Sequence, residues 1–311
     1  MDEKTSEASA EAVTARFEEH RPRLRAVAYR MLGSLSEADD AVQEAWLRLD
    51  RNGIAGIENL GGWLTTVTGR VCLNMLRSRE QRREEPLETR IPDPVIGREA
   101  GAGAGAGDGG AGADPEGEAL LVDSVGLAML VVLQSLGPAE RLAFVLHDMF
   151  QVPFDEIAPL IEKTPAATRQ LASRARRRVR DGAPAPDPDL ARQRAAVDAF
   201  FAAAREGDFE ALVSVLDPDV VLRSDGGPGR PGLSVVLNGA RTVAGRAITF
   251  GQLSPFVRPV LINGAAGVVV VANGRPMSVM AFTVVDGKIA AIQVLADPER
   301  LGRLELPGSE A

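Results

Sequence analysis

Seven basic side chains and no acidic one lie between Lys163 and Arg180. Arginine donates paired hydrogen bonds to guanine, and further basic groups hold backbone phosphates. The major groove of DNA admits a single helix, so side chains of this type along one helix fit nucleic-acid recognition. The chemistry predicted here is non-covalent binding, and it requires elements that present this helix on the surface.

The residues around this stretch predict a helix-turn-helix. Two helical patterns, Pro138 to Met149 and Phe154 to Ile161, precede the basic helix. Thr164 is suited to cap that helix and Pro165 to open it. The predicted base readers are Arg169, Gln170 and Ser173, and the predicted phosphate partners are Arg174, Arg176, Arg177, Arg178 and Arg180. The alternative is a solvated basic helix that binds no nucleic acid.

A second group of side chains occurs near the N-terminus. Asp40, Gln43, Glu44 and Trp46 combine polar groups with a large aromatic ring on one helical pattern. The sequence alone also allows Trp46 to be a core residue and the acids a solvated face. A loop around Asn59 follows, and then a third helical pattern that leads to four arginines between Arg77 and Arg83.

Composition excludes several classes of protein. The 311 residues contain one cysteine and two histidines, so a disulfide framework or a cysteine zinc site is not expected. No uncharged apolar stretch reaches the roughly 18 residues of a membrane span, and the acidic N-terminus does not resemble a signal peptide. These features predict a cytoplasmic protein without membrane contact. No phosphate-binding loop or metal cluster is recognisable, so no cofactor is expected.

Two breaks divide the chain into three units. Residues 85–118 are rich in Gly, Ala, Asp and Pro and carry a net charge of −6, which predicts a flexible linker. Three prolines interrupt residues 181–190. We predict all-α units at 14–84 and 119–182 and an α+β unit at 191–305. In the last unit two helices precede a sheet with a hairpin at Asp286-Gly287.

The order and spacing of these motifs resemble bacterial RNA polymerase sigma factors of the extracytoplasmic-function group. Residues 14–84 are similar to their region two, and 119–182 to their region four, a resemblance over about 135 residues. Asp40 to Glu44 matches the helix that binds the polymerase clamp. Ile57 to Trp63 matches the loop that captures a flipped base of the −10 element, and the helix at 165–180 matches the reader of the −35 element.

This resemblance implies partners and site residues. The partners are promoter DNA and core RNA polymerase, through the clamp of its largest subunit and the flap near the −35 element. The polymerase-binding residues are Asp40, Gln43, Glu44 and Trp46. The DNA-binding residues comprise the −35 readers above and a −10 group of Asn59, Leu60, Trp63, Arg70, Asn74 and Arg77.

The C-terminal unit resembles the cone-shaped, SnoaL-like domain fused to one subgroup of these sigma factors. That subgroup bears a Trp-Leu-Pro-Glu-Pro element in the linker and Asp-Gly-Gly-Gly-Lys in the domain. The corresponding stretches here are Arg90 to Pro94 and Asp225 to Arg230, each with substitutions. The resemblance implies regulatory contacts through Pro92, Asp93, Pro94, Asp225, Gly226, Gly227 and Arg230, with Arg230 meeting the acids of the linker.

The sequence therefore predicts a sigma factor whose fused domain modulates its activity. The first alternative is a stand-alone helix-turn-helix regulator, which would need no polymerase-binding helix. The second is a cyclase-like or isomerase-like enzyme with a DNA-binding appendage, in which Asp225 and Arg223 would be the acid and its partner. Residues 183–311 contain no His, Tyr, Trp or Cys, which leaves few groups for acid–base chemistry. The sequence does not specify the promoter, the signal, or a small-molecule or protein regulator.

Overall fold

The computed structural model describes residues 2–54, 56–82, 89–97, 126–183 and 185–304. Within these ranges the side chains of 2–10, 12, 82 and 252–254 are not described. Most of the Gly-Ala linker, residues 98–118, and Arg83 lie outside the described residues.

Three helices form the N-terminal bundle: α1 (Asp2–Leu32), α2 (Leu35–Asn52) and α3 (Leu60–Arg82). Gly33 ends α1 in the left-handed region at φ 71°, which glycine adopts without steric cost. Apolar residues at helical spacing then meet in a common core. This core contains Phe17, Leu24, Val42, Leu49, Leu60 and Leu64.

The middle helices are α4 (Leu127–Gln134), α5 (Pro138–Phe144), a π-helical turn (Val145–Met149), α6 (Phe154–Ile157), a 3₁₀ turn (Ala158–Ile161) and α7 (Pro165–Gly182). The predicted helix-turn-helix is present in α6, the turn and α7. Glu162 turns the chain with φ 56°, and the Ala167 N–H donates to Thr164 Oγ1 at 3.2 Å. This is the predicted cap of the basic helix.

The C-terminal domain follows with helices α8 (Leu190–Glu206), α9 (Phe209–Val215), α10 (Ala240–Thr249) and α11 (Pro298–Leu301). Short 3₁₀ turns cover Pro231–Leu233 and Gly251–Phe256. Its strands are β2 (Leu216–Asp225), β3 (Val235–Asn238), β4 (Val257–Ile262), β5 (Ala265–Ala272), β6 (Arg275–Val285) and β7 (Lys288–Leu295).

Together with β1 (Ile96–Gly97) from the linker, these strands form one sheet in the order β1-β4-β5-β6-β7-β2-β3. Only β2 and β7 run parallel among the pairs described. Asp286 and Gly287 both have positive φ, as the predicted two-residue hairpin requires. One face of the sheet packs on α8, α9 and α10 around Phe200, Leu212 and Phe282. The predicted α+β class is confirmed.

The linker departs from its predicted flexibility over residues 89–97. Strand β1 (Ile96–Gly97) pairs antiparallel with β4, with Ile96 opposite Ile262. Asn263 closes the pairing, because its N–H donates to Val95 O at 2.8 Å and its Oδ1 accepts from Val95 N at 3.1 Å. A strand of two residues carries little sequence signal, so composition alone assigned it to the linker. The C-terminal domain thus includes a piece of chain that precedes the middle helices.

Two compact units emerge from the contacts of the chain. The first contains the N-terminal bundle together with residues 132–181. The second contains the linker strand, residues 126–131 and the C-terminal domain. Within the described residues, no helix is long and apolar enough to cross a membrane.

Candidate functional site

Helix α7 presents its polar side to solvent. Thr168, Ala172 and Ala175 are buried and hold the helix against its neighbours. All eight predicted DNA-binding residues of this helix are exposed: Arg169, Gln170, Ser173, Arg174, Arg176, Arg177, Arg178 and Arg180. The structure therefore brings them together on one accessible surface, as the sequence predicts.

The arginines of α7 differ in their surroundings. Arg176 pairs with Asp148, and Arg178 donates to Glu140 at 2.8 Å, so part of their charge is already compensated. The Arg169 guanidinium lies 5.4 Å from the centre of the Phe154 ring, a cation–π distance that orients it near the helix start. Arg174 and Arg177 have no partner among the described residues. Their charges are therefore not compensated by an ion pair within the described residues.

Helix α2 exposes Asp40 and Gln43, and its Glu44 accepts from Arg48 at 2.9 Å. Trp46 on the same helix is half-buried. Its ring centre lies 5.0 Å from that of Phe17, and the side chain packs on the core of the bundle. This packing agrees with the core alternative, and a contact of Trp46 with polymerase stays a prediction.

Leu47 is a residue that the sequence analysis missed. Leu47 is 40% exposed, and few large apolar side chains among the described residues are as accessible. It lies four residues after Gln43, which places both on one face of α2. An exposed leucine beside acidic groups is suited to the centre of a protein interface. The sequence could have indicated it, because Leu47 lies four residues after Gln43 on the same helical pattern.

The loop and helix predicted for the −10 element are partly surface and partly core. Asn59 is exposed and caps α3, with its Oδ1 accepting from Gly62 N at 2.9 Å. Leu60 is 4% exposed and belongs to the bundle core, so its side chain is not offered to DNA and that prediction is wrong. Trp63 is half-buried against the same core, with an edge left accessible.

Three further side chains continue from this loop along α3. Arg70 and Asn74 are exposed and Arg77 is half-buried. Their spacing of four and three residues places them on one face of the helix. They form a polar and basic strip that begins near Trp63.

The C-terminal domain holds the linker through an ion network. Arg300 Nη1 donates to Asp225 at 2.7 Å, and its Nη2 donates to Asp93 at 2.6 Å and to the Ile91 carbonyl at 2.7 Å. Asp225 also accepts from the Ile91 N–H at 3.3 Å. Ile91, Pro92 and Pro94 are buried. Arg300 therefore joins the two stretches that the sequence predicts to interact.

Arg230 has a different role from the predicted one. It donates to the carbonyls of Met277 and Ala296 within the domain, at 3.4 and 3.2 Å. The prediction that it meets the acids of the linker is wrong, because Arg300 occupies that place. A Cβ at Gly226 would lie 2.1 Å from Arg230 O, and one at Gly227 2.2 Å from Asp297, so both positions need glycine.

A cavity of about 380 Å³ lies beside α8 and strands β4 and β5. Its lining includes Val197, Phe201 and Val268, with Arg194, Asp198 and Arg205 at the polar side. Neither Asp225 nor Arg223 lines it. Burial lowers the pKa of Arg223, but the acid of the predicted pair faces the linker network instead. The described residues also contain no group of three or more metal-binding side chains.

Comparisons with known proteins cover both helical regions of the chain. The model of Sigma-70 region 2 matches residues 16–83, and that of Sigma-70, region 4 matches residues 127–179. The Mycobacterium tuberculosis protein named "Probable ECF RNA polymerase sigma factor SigI" is 36% identical over 301 residues, covering 95% of this chain and 98% of the relative. ECF RNA polymerase sigma factor SigJ from the same species is 37% identical over 300 residues, with 91% of each protein covered.

The similarity extends to the whole fold. The crystal structure of M. tuberculosis SigJ superposes with a TM-score of 0.71 at 33% identity. The match covers 94% of this chain and 100% of that one, and so includes the C-terminal domain.

Proposed function

Because the chain belongs to the extracytoplasmic-function family of RNA polymerase sigma factors, we propose that separate surfaces bind polymerase, the −10 element and the −35 element. A sigma factor directs core RNA polymerase to promoters and is not itself an enzyme. The observation that carries the proposal is that both matched regions hold an exposed polar surface at the predicted positions. Since core polymerase works in the cytoplasm, we propose that compartment for this chain.

The proposed polymerase surface is the outer face of α2. Asp40, Gln43 and Glu44 supply polar contacts to the clamp of the largest subunit, and Leu47 supplies an apolar centre. Such a centre with a polar rim is the usual arrangement of a protein interface. Trp46 acts behind this face by fixing α2 on the bundle core.

The proposed −10 surface runs from the Asn59 loop along α3. An unstacked base needs an aromatic or apolar edge and nearby polar groups, and the opened strand needs a basic track. The edge of Trp63 and the polar Asn59 provide the first. Arg70, Asn74 and Arg77 provide the second.

The proposed −35 surface is α7 in the major groove. Arg169, Gln170 and Ser173 at the start of the helix read base edges, and the arginines that follow hold phosphates. Arg174 and Arg177 contribute most to phosphate binding in this proposal, since Arg176 and Arg178 already bind acids. A contact of region four with the polymerase flap would bring this helix to DNA.

The two alternative functions lose their support. A stand-alone regulator would need only the helix-turn-helix, whereas the chain also matches region two over residues 16–83. An enzyme would need its acid at a cavity, whereas Asp225 is bound by Arg300 and the linker. The C-terminal domain instead acts, in this proposal, as a regulator that controls the linker. A small molecule or protein acting on that domain is not identified.

Run-off transcription with core polymerase and the promoter upstream of the chain's own gene tests the proposal. We expect a transcript only when this chain is added. Glu44→Ala should weaken core binding and leave binding to duplex −35 DNA unchanged. Arg169→Ala should do the reverse, with a loss of about 1–3 kcal/mol for a paired base contact.

Glu19→Ala on α1 and Arg192→Ala on α8 are matched controls, because both side chains are exposed and lie on helices outside the proposed surfaces. Equal impairment of one step by Glu44→Ala and Arg169→Ala would contradict the division of surfaces. Absence of any transcript with intact protein would contradict the proposed function itself.

A further inference from the structure

The cavity of the C-terminal domain lies between one flank of α8 and the strands β4 and β5. Its volume of about 380 Å³ falls within the range of roughly 300–1,000 Å³ that is usual for small-molecule sites. Most of its lining is apolar: Val197, Phe201, Ala202, Val257, Pro259 and Val268. A lining of this kind suits a compact apolar body.

Contacts at both ends of α8 keep this space open. Near the start of the helix, Gln193 Oε1 accepts from the Ala266 N–H at 2.8 Å, and Gln193 Nε2 donates to the Asp187 carbonyl at 2.6 Å. Near its end, the turn that begins at Gly251 comes so close that a Cβ there would lie 2.2 Å from the Ala204 carbonyl oxygen. Because the helix is fixed at both ends, the space between them is part of the fold.

The residues of α8 that reach the cavity share one flank of the helix. Arg194, Asp198, Phe201 and Arg205 follow one another at intervals of four, three and four residues. Such intervals place side chains on one side of a helix. The polar groups therefore lie in line with the aromatic ring, along the length of the cavity.

The charges on this flank favour an anion. Arg194 is half-buried, and Arg205 is exposed and has no partner among the described residues. Asp198 is the one acid that lines the cavity, so two guanidinium groups stand against one carboxylate. A guanidinium can hold a carboxylate through two parallel hydrogen bonds, which gives direction as well as affinity.

We propose that this cavity binds a small carboxylate with a compact apolar body. The body lies against Phe201 and Val268, and the acid group lies at Arg205, where it remains in contact with water. Arg194 adds a second positive charge at the cavity. The site shares no residue with the proposed polymerase and DNA surfaces, so it does not rest on the proposed function.

Binding at this site is not coupled to acid–base chemistry. Neither Asp225 nor Arg223, the pair considered for an enzyme, lines the cavity. Among the described residues that line it there is no His, Tyr or Cys either. The ligand is therefore held and released unchanged.

Three probes that share a naphthalene ring test the choice of ligand class. Equilibrium dialysis of the full chain measures the binding of 2-naphthoate, the neutral 2-naphthol and the cationic 2-naphthylmethylamine. We expect 2-naphthoate to bind about 10-fold more tightly than either of the others, because only it makes a charge-assisted hydrogen bond with arginine. Absence of 2-naphthoate binding, equal binding of all three probes, or a preference for the amine would overturn the proposal.

Variants of the lining residues test the location. Arg205→Gln should weaken 2-naphthoate binding about 10-fold or more and leave the binding of 2-naphthol unchanged, since it removes the partner of the acid group alone. Ala202→Trp fills the space beside Phe201 and should abolish the binding of both probes. Arg192→Gln is the matched control, because Arg192 is exposed on α8 and does not line the cavity.

Circular dichroism establishes which variants are folded. Arg205 is exposed, so Arg205→Gln is expected to keep the native fold even if Ala202→Trp does not. Unchanged 2-naphthoate affinity in Arg205→Gln, an equal loss in Arg192→Gln, or full binding by folded Ala202→Trp would overturn the site. Run-off transcription with the parent protein tests the proposed function separately, so failure of one proposal leaves the other standing.

Discussion

Arg300 is the residue on which the position of the linker depends. It binds Asp93, Asp225 and the Ile91 carbonyl, and its side chain is only 15% exposed. Arg300→Ala would leave Asp225 buried without its cation, at a cost of about 3 kcal/mol for a broken buried pair. We expect faster hydrogen exchange at the Ile91 and Val95 amides, which the native fold holds in hydrogen bonds.

Arg303→Ala is the control for this prediction. Arg303 pairs with Glu299 on the surface, where ion pairs contribute at most about 1 kcal/mol. In that variant we expect hydrogen exchange at the Ile91 and Val95 amides to be as slow as in the parent protein. Unchanged exchange in Arg300→Ala would show that β1 is held by its pairing with β4 alone.

Cys72 offers a second test at a single residue. The thiol is fully buried in α3, and this burial raises its pKa, so the reactive thiolate is scarce. We expect a thiol reagent at neutral pH to modify Cys72 only at the rate at which region two unfolds. Rapid labelling of the native protein, at the rate of a free thiol, would contradict the packing of α3.

The first turn of helix α7 contains both the cap of the helix and the first of the proposed base readers. The Thr164 hydroxyl oxygen accepts from the Ala167 N–H just before the proposed base readers. We expect Thr164→Ala to cost about 1 kcal/mol in stability and to weaken −35 binding by fraying that turn. Thr164→Ser keeps the hydroxyl and should preserve both; denaturant unfolding and DNA titration of the two variants would show whether the cap matters.

At the scale of the whole molecule, the anchored linker changes how the sigma regions are joined. Only residues 83–88 separate α3 from the described part of the linker, a reach of about 20 Å at most. The Gly-Ala stretch after β1 is therefore not the only connection between region two and region four, because the C-terminal domain that holds β1 also joins them along the chain. The short hinge at 183–189 joins that domain to region four.

Insertions in the linker test this arrangement. Ten added Gly and Ser residues between 101 and 113 should leave promoter affinity of the polymerase complex nearly unchanged, because the C-terminal domain still connects the two regions. The same insertion in Arg300→Ala should weaken promoter binding, since lengthening a free tether carries an entropic cost. Equal effects of the insertion in both backgrounds would contradict a connecting role for the domain.

The local elements could be predicted from the sequence because their causes are local. The cap at Thr164, the basic face of α7, the Asp286-Gly287 hairpin and the order of the two sigma regions all depend on residues near one another in the chain. The burial of individual side chains is harder to predict from the sequence. Leu60 belongs to a predicted binding motif yet lies in the core, and Trp46 is half-buried against that core. On a short segment only the tertiary structure shows which side chains point inward.

The helices of the N-terminal bundle, the helix-turn-helix, the hairpin, the fold classes and the family can be inferred from the sequence alone. Which distant groups contact each other depends on the tertiary structure. Arg300 reaches Asp93 across 207 residues, and Arg141 reaches Met31 across 110. Neither contact can be recognised from the neighbouring residues in the sequence, because the residues around these two arginines look the same as those around an arginine exposed to solvent. Such pairs form only when packing brings distant segments together and excludes the water that would otherwise solvate them.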